Sequence, residues 1–255
     1  MTGDVRANYG IMFAAAALSA AACAFPAAAA PQSLRQGLFG QEGLDFRKPG
    51  APPVAHYVAE GGEGFVIDRS QGRVLLKFDD NAEIYALQPQ PAPRGDVIYK
   101  NDLGEPVLRA TRLGGLTVFT ESRPSGAAAA LAGNGAPLKL APLGPQLLLE
   151  RLAQASAKAS RAARRLIAFD ADASPASSAL IADAAAVTSE ALVRMSRKSD
   201  GRAALARVRQ VRLSEGARAS VQLSRGELQV TVAAAQGLAG RPSSDRIAFA
   251  AATER

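Results

Sequence analysis

Cysteine, histidine and tryptophan are nearly absent from this sequence, with one Cys, one His and no Trp in 255 residues. The one cysteine, Cys23, lies in an N-terminal segment laid out like a secretory signal, so a mature chain would keep no thiol. That excludes a disulfide, a thiolate nucleophile and a cysteine metal site from the mature protein. A Ser-His-Asp triad or a histidine-rich metal site would have to be built around His56 alone. His56 sits in VAHYVA, where it reads as an ordinary strand residue. Aromatics make up 5% of the chain and leave little to stack on bases, so nucleic acid is not an expected partner. The sequence contains no G-x-S-x-G, S-x-x-K, H-E-x-x-H, C-x-x-C or G-x-x-x-x-G-K-[ST]. These absences argue against the common exported hydrolases and nucleotide enzymes, and no cofactor is expected. Beyond the N-terminus no uncharged apolar run approaches membrane-spanning length.

What is present begins with that N-terminus. Arg6 precedes IMFAAAALSAAACAF, followed by Pro26 and a run of small residues. This is the order of a signal peptide, with a charged region, a short apolar region and an A-x-A site. Residues 1–29 are therefore expected to be removed between Ala29 and Ala30, leaving a periplasmic protein. Acylation of Cys23, which would anchor the protein to the cell envelope, is the alternative. The preceding Ala20-Ala21-Ala22 departs from the leucine a lipobox prefers.

The rest divides by composition. Residues 30–52 are rich in Gly, Pro and Gln and read as a flexible tether. Residues 53–123 read as a β-meander: alternating runs such as GFVID and RVLLKF flank the turn Arg69-Ser70-Gln71-Gly72. QPQPAPRG is expected to break the pairing, and Gly114-Gly115 to form a two-residue hairpin turn. Residues 124–144 read as an Ala/Gly/Pro-rich linker. Residues 145–255 read as a helical hairpin plus a β-hairpin, SVQLS-RG-ELQVTV, in one domain with 53–123. Ser174 and Pro175 signal the start of the second helix and Ser199-Asp200-Gly201 its stop. Residues 202–213 fit helix or strand, and the tail reads as loose apart from a short run near Ile247. The expected fold class is α+β, an antiparallel meander, a helical hairpin and a C-terminal hairpin that can complete the same sheet.

Two clusters are candidate sites. Asn101 to Pro106 has the residues of a turn: short polar side chains, Gly104 and an exit proline. Asp102 and Glu105 could also converge with Arg109 as a small carboxylate site. On the turn reading, Asp102→Asn should cost little. Asp79-Asp80-Asn81-Ala82-Glu83 lacks the spacing of a calcium loop and reads as a turn. The second cluster is basic. Residues 30–150 carry 12 Lys plus Arg against 13 Asp plus Glu, whereas residues 151–225 carry 14 against 6. Arg151, Lys158, Arg161, Arg164 and Arg165 crowd the first helix and could bind anions, namely anionic lipid headgroups or an envelope polymer.

GFVIDRSQGRVLLKF and EIYALQPQPAPRGDVIYKNDLGEPVLRATRLGGLTVFT, with the later VRQVRLSEGARA, LQVTV and GLAGRPSS, resemble an exported alphaproteobacterial family of unknown function (domain of unknown function 4908). The resemblance covers most of the mature chain. It implies a bacterial envelope setting and transfers no substrate, cofactor or functional residue. The expected function is a non-enzymatic binding or structural role in the envelope. The alternatives are a carboxylate-based periplasmic enzyme and a membrane-surface lipoprotein accessory.

Overall fold

The computed structural model describes residues 52–253. The expected signal peptide, with Cys23, Ala29 and Ala30, lies outside the described residues, as does nearly all of the tether. Eight strands follow in order: β1 (Val54–Ala59), β2 (Gly64–Asp68), β3 (Val74–Phe78), β4 (Ile84–Pro91), β5 (Val97–Lys100), β6 (Pro106–Ala110), β7 (Leu116–Thr120) and β8 (Arg123–Asn134). Each pairs antiparallel with the next, and β8 returns to pair with β1, as in Ala55↔Asn134 and Ala59↔Ala129. The meander is therefore a closed up-and-down barrel, not an open sheet. Its strand alternation turns Tyr57, Phe65, Ile67, Leu76, Leu87, Tyr99, Leu108 and Val118 into one buried interior.

Several local expectations are corrected here. The segment expected to be a linker supplies β8, the strand that closes the barrel. Its alanines suit the inside of a small barrel already filled by aromatics: Ala127 is buried, and Ala129 packs against the same core. A side chain at Gly126 would meet Thr117 at 2.6 Å and Phe119 at 2.9 Å. QPQP does not break the pairing, because β4 runs through Pro89 and Pro91 opposite Tyr99 and Val97. β3 begins opposite Leu87, so past that point β4 has a partner only in β5. Ala92 N–H points to that partner, donating to the Asp96 carbonyl at 2.9 Å. Pro89 and Pro91, at odd offsets from Ala92, thus lack N–H groups only on the unpaired side. Between β6 and β7 the turn spans Thr111 to Gly115, closed by Thr111 N–H to Gly115 O at 2.9 Å, instead of Gly114-Gly115 alone.

The second half stacks helices on a separate sheet. Helix α1 (Pro145–Ala163) leads to β9 (Ala168–Ala171), α2 (Ser178–Arg197) and α3 (Ser199–Arg207). Then come β10 (Gln210–Glu215), β11 (Ser220–Ser224), β12 (Glu227–Val232) and α4 (Ser244–Ala252). The sheet order is β11-β12-β10-β9, with β10 parallel to both β12 and β9. The C-terminal hairpin β11–β12 is present around Arg225-Gly226, but it belongs to this second sheet and does not complete the first. Leu228, Val230 and Val232 alternate with more exposed Glu227, Gln229 and Thr231. The buried face packs with Leu180, Ile181, Leu192 and Ile247 of the helices. Helix α2 begins at Ser178, three residues beyond the expected proline start, and Ser199-Asp200-Gly201 opens α3 instead of ending a helix. The undecided stretch 202–213 is helix to Arg207 and strand from Gln210. The short run expected near Ile247 is helix α4, and the part of the tail before it, expected to be loose, carries a 3₁₀ turn (Ala234–Gly240).

The two layers meet on the outer face of β3 and β4. Leu75 and Ile84 pack there with Leu138 and Leu238. Asp68, fully buried, fixes the crossing chain: its Oδ2 accepts from Leu138 N at 2.9 Å and its Oδ1 from Ser70 N and Oγ at 2.8 and 2.6 Å.

Candidate functional site

The β5–β6 turn is built as a turn. Asn101 Oδ1 accepts from Leu103 N at 3.0 Å and Glu105 N at 2.9 Å, and Gly104 has φ of 84°. Asn101 Nδ2 in turn donates to Glu105 Oε2 at 3.0 Å. The structure does not bring Asp102, Glu105 and Arg109 together as one constellation. Arg109 donates through Nε and Nη2 to Asp96 Oδ2 at 2.9 and 2.5 Å. That guanidinium, opposed in part by burial, holds the Asp96 carboxyl below the usual aspartate range. Asp102 turns to the other layer and accepts from Ser243 N at 2.8 Å and Ser243 Oγ at 2.5 Å.

Ser243 is the N-cap of α4, its hydroxyl accepting from Arg246 N at 3.1 Å. Glu83 meets the same helix start, accepting from Ser244 N at 2.9 Å. Two barrel carboxylates thus sit where a helix offers unpaired N–H groups and a partial positive charge. Beside them Arg241, with 2% of its side chain exposed, pairs with Asp183 and lies 3.5 Å from Glu83 Oε1. Its Nη2 donates to Ile84 O at 2.8 Å. Burial pushes the Glu83 carboxyl up, more than Arg241 and the Ser244 hydrogen bonds pull it down. This buried ionic junction escaped the sequence reading, which took Glu83 for part of a turn and residues near Arg241 for loose tail. The polar text in a tail otherwise fit for solvent was the available signal.

The five basic candidates separate. Arg151 lies within 3.5 Å of Gln154 and, with Lys158, lines a cleft of about 480 Å³ that also contains Asp183 and Glu190. Lys158 is paired with Glu190. Arg161, Arg164 and Arg165 instead gather at the C-terminal end of α1 with Arg202 of α3 around a cleft of about 600 Å³, and no carboxylate lines it. Arg165 is structural in part, since its Nη2 donates to the carbonyls of Leu205 at 2.9 Å and Ala206 at 3.2 Å at the end of α3. Arg164 closes α1 in the left-handed conformation, φ 55°. Among the described residues the side chains of Arg164 and Arg202 have no hydrogen-bond or ion-pair partner. Arg202 was missed because the sequence left its segment undecided between helix and strand.

His56, on β1, pairs with Asp79 at 2.8 Å. Among the described residues no group of three or more His, Cys, Asp or Glu could hold a metal ion, and no helix is long and apolar enough to cross a membrane. A family model described as Domain of unknown function (DUF4908) matches residues 33–251. Among curated proteins and solved structures, none matches the chain.

Proposed function

We propose that this chain, which belongs to the DUF4908 family, is a non-enzymatic binding protein of the bacterial envelope that docks on phosphate-bearing lipid headgroups. The observation that carries this reading is the cleft of Arg161, Arg164, Arg165 and Arg202, without a carboxylate among its lining residues. Arginine's planar fork suits phosphate oxygens, and two of these four guanidinium groups are uncommitted within the protein. These four arginines belong to the charge surplus of residues 151–225, which would favour approach to an anionic surface. The order of charged, apolar and small-residue regions in residues 1–29 supports export, with maturation at Ala30 in the periplasm. N-terminal sequencing of the cell-fraction protein tests that part. An intact Met1 in the cytoplasm rejects it, and a lipid on Cys23 replaces it with the anchored form.

Co-sedimentation with phosphatidylglycerol and phosphatidylcholine vesicles tests the docking. Binding should be confined to the anionic vesicles and fade as salt is raised, because exposed charges are screened beyond about 8 Å at physiological ionic strength. The double variant Arg164→Gln/Arg202→Gln should bind about thirtyfold more weakly, at roughly 1 kcal/mol per basic side chain. Equal binding to both vesicle types, or to neither, rejects the proposal. Preferential competition by a soluble polyanion would point to an envelope polymer instead.

A further inference from the structure

The loops β1–β2, β3–β4, β5–β6 and β7–β8 all fall at one end of the barrel. With α2 and α4 they line an open pocket of about 730 Å³. Its lining is divided by chemistry. Phe78, Tyr85, Val107 and Phe119 give it apolar and aromatic walls. Phe78 and Tyr85 stand edge to face, with centroids 6.2 Å apart. The charged lining is almost all of one sign: Glu63, Asp80, Glu105, Glu121 and Asp245 against Arg194 alone. Arg194 is already neutralised by Asp245 at 2.6 Å. In a chain with a net charge of +7, this acidic mouth runs against the overall balance.

One oxygen there is unsatisfied. Glu63 Oε1 accepts from Ser122 Oγ at 3.2 Å, but Glu63 Oε2 is buried and has no hydrogen-bond partner among the described residues. A buried carboxylate oxygen without a donor is costly, and a positive charge held nearby in the pocket would offset that cost through space. The Tyr85 phenol is pushed far above its ordinary range, first by burial and then by the charges of Glu83 and Asp245. It therefore stays neutral, with a π-face that can attract a cation.

We propose that the barrel mouth binds an organic cation, an ammonium or quaternary ammonium group carried on an apolar or aromatic body. Carboxylates spread around aromatic walls suit a diffuse, weakly hydrated positive charge. They do not suit a bare metal ion, since no ligand cluster of the required kind occurs among the described residues. An anion would meet uncompensated carboxylates. The site shares no residue with the arginine cleft and is independent of lipid docking.

The test is titration of the full chain with three probes, followed by NMR and calorimetry. They are benzyltrimethylammonium, its uncharged isostere neopentylbenzene, and benzenesulfonate as the anion. The cation should bind and shift resonances of Tyr85 and Phe119. The neutral probe should bind about tenfold more weakly, and the anion should not bind. Glu63→Gln and Glu121→Gln should each weaken the cation about fivefold, the scale of one partly screened charge pair. Glu121 is exposed and makes no hydrogen bond among the described residues, so its variant is expected to keep the wild-type fold and vesicle binding. Equal binding of cation and isostere, no binding of the cation, shifts confined to another part of the protein, or unchanged affinity in Glu121→Gln would overturn the proposal.

Discussion

The carboxylate of Asp102 receives both the amide and the hydroxyl of Ser243, 141 positions later in the chain. A turn residue of the barrel therefore holds the N-cap residue of a helix in the other layer. The turn alone would tolerate asparagine at this position, but the tertiary contact would not. A carboxamide in place of the carboxylate would present one neutral acceptor, with an NH₂ group facing a donor, and the charge at the helix start would be lost. Asp102→Asn is expected to cost about 1–2 kcal/mol. Gly104→Ala, at φ 84°, should cost on the order of 1 kcal/mol by backbone strain alone. Urea denaturation of both variants checks the order, and a neutral Asp102→Asn would refute the clamp.

Arg241 is expected to be among the most sensitive positions. Removing it as Arg241→Met leaves Glu83 and Asp183 without their shared cation, a loss on the order of 3–5 kcal/mol near pH 7. The deficit should shrink towards pH 5. A carboxyl whose folded pKa is raised, as that of Glu83 is, contributes stability at low pH that is lost as pH rises through the folded value. Denaturation midpoints of wild type and variant at the two pH values read the difference. A deficit independent of pH would exclude Glu83 as its source.

Asp68 should act in the opposite direction. Burial works to raise its carboxyl, but hydrogen bonds from Ser70, Leu138 and Gln71 outweigh it and hold it below the ordinary value of 3.8. A depressed folded pKa contributes stability above the unfolded value and loses it as pH falls through the folded one. Melting temperature should therefore drop below about pH 4, and Asp68→Asn should flatten that drop while lowering stability at neutral pH. Melting curves between about pH 2 and pH 6 test it. An equally steep acid limb in the variant would assign the drop to other carboxylates.

Arg225 is a place to gain stability. It occupies φ 53° ahead of Gly226 at φ 85° in the β11–β12 hairpin, the pair of left-handed residues that a type I′ turn requires. Asparagine adopts that conformation more readily than arginine. Arg225→Asn is expected to stabilise the protein by about 0.5 kcal/mol, measured as a shift of the urea midpoint at unchanged slope. A fall in stability would mean that the arginine side chain contributes more than its strained backbone costs.

The turns and most strands were legible because their signals are local. Gly104, Arg225-Gly226 and the alternation of Phe65 and Ile67 each act over a few residues. Closure of the barrel was not legible, because β8 is written in alanine and glycine. Those residues carry no strand preference of their own, and they serve here because the interior is already filled from the facing strands. Parallel pairing was equally hidden, since β9 and β10 are joined through helices α2 and α3, and β10 and β12 through β11 at the sheet edge. The acidic mouth combines loops drawn from 63 to 124 with single residues of α2 and α4. No window of sequence contains it. In the arginine cleft, three members were visible as a run on one helix, and the fourth had to wait for α3 to be placed.

The pairing of β1 with β8 also sets an order of events. As the chain emerges N-terminus first into the compartment where it folds, β1 can pair with β2 at once, but its other edge must wait until β8 has emerged. During that interval VAHYVA offers a row of open backbone donors and acceptors on an apolar strand, a template for pairing between neighbouring chains. The small residues that let β8 fit also make it a weak competitor for that edge. The open edge of β1 thus makes the interval before the last barrel strand arrives the one in which pairing between chains competes with closure.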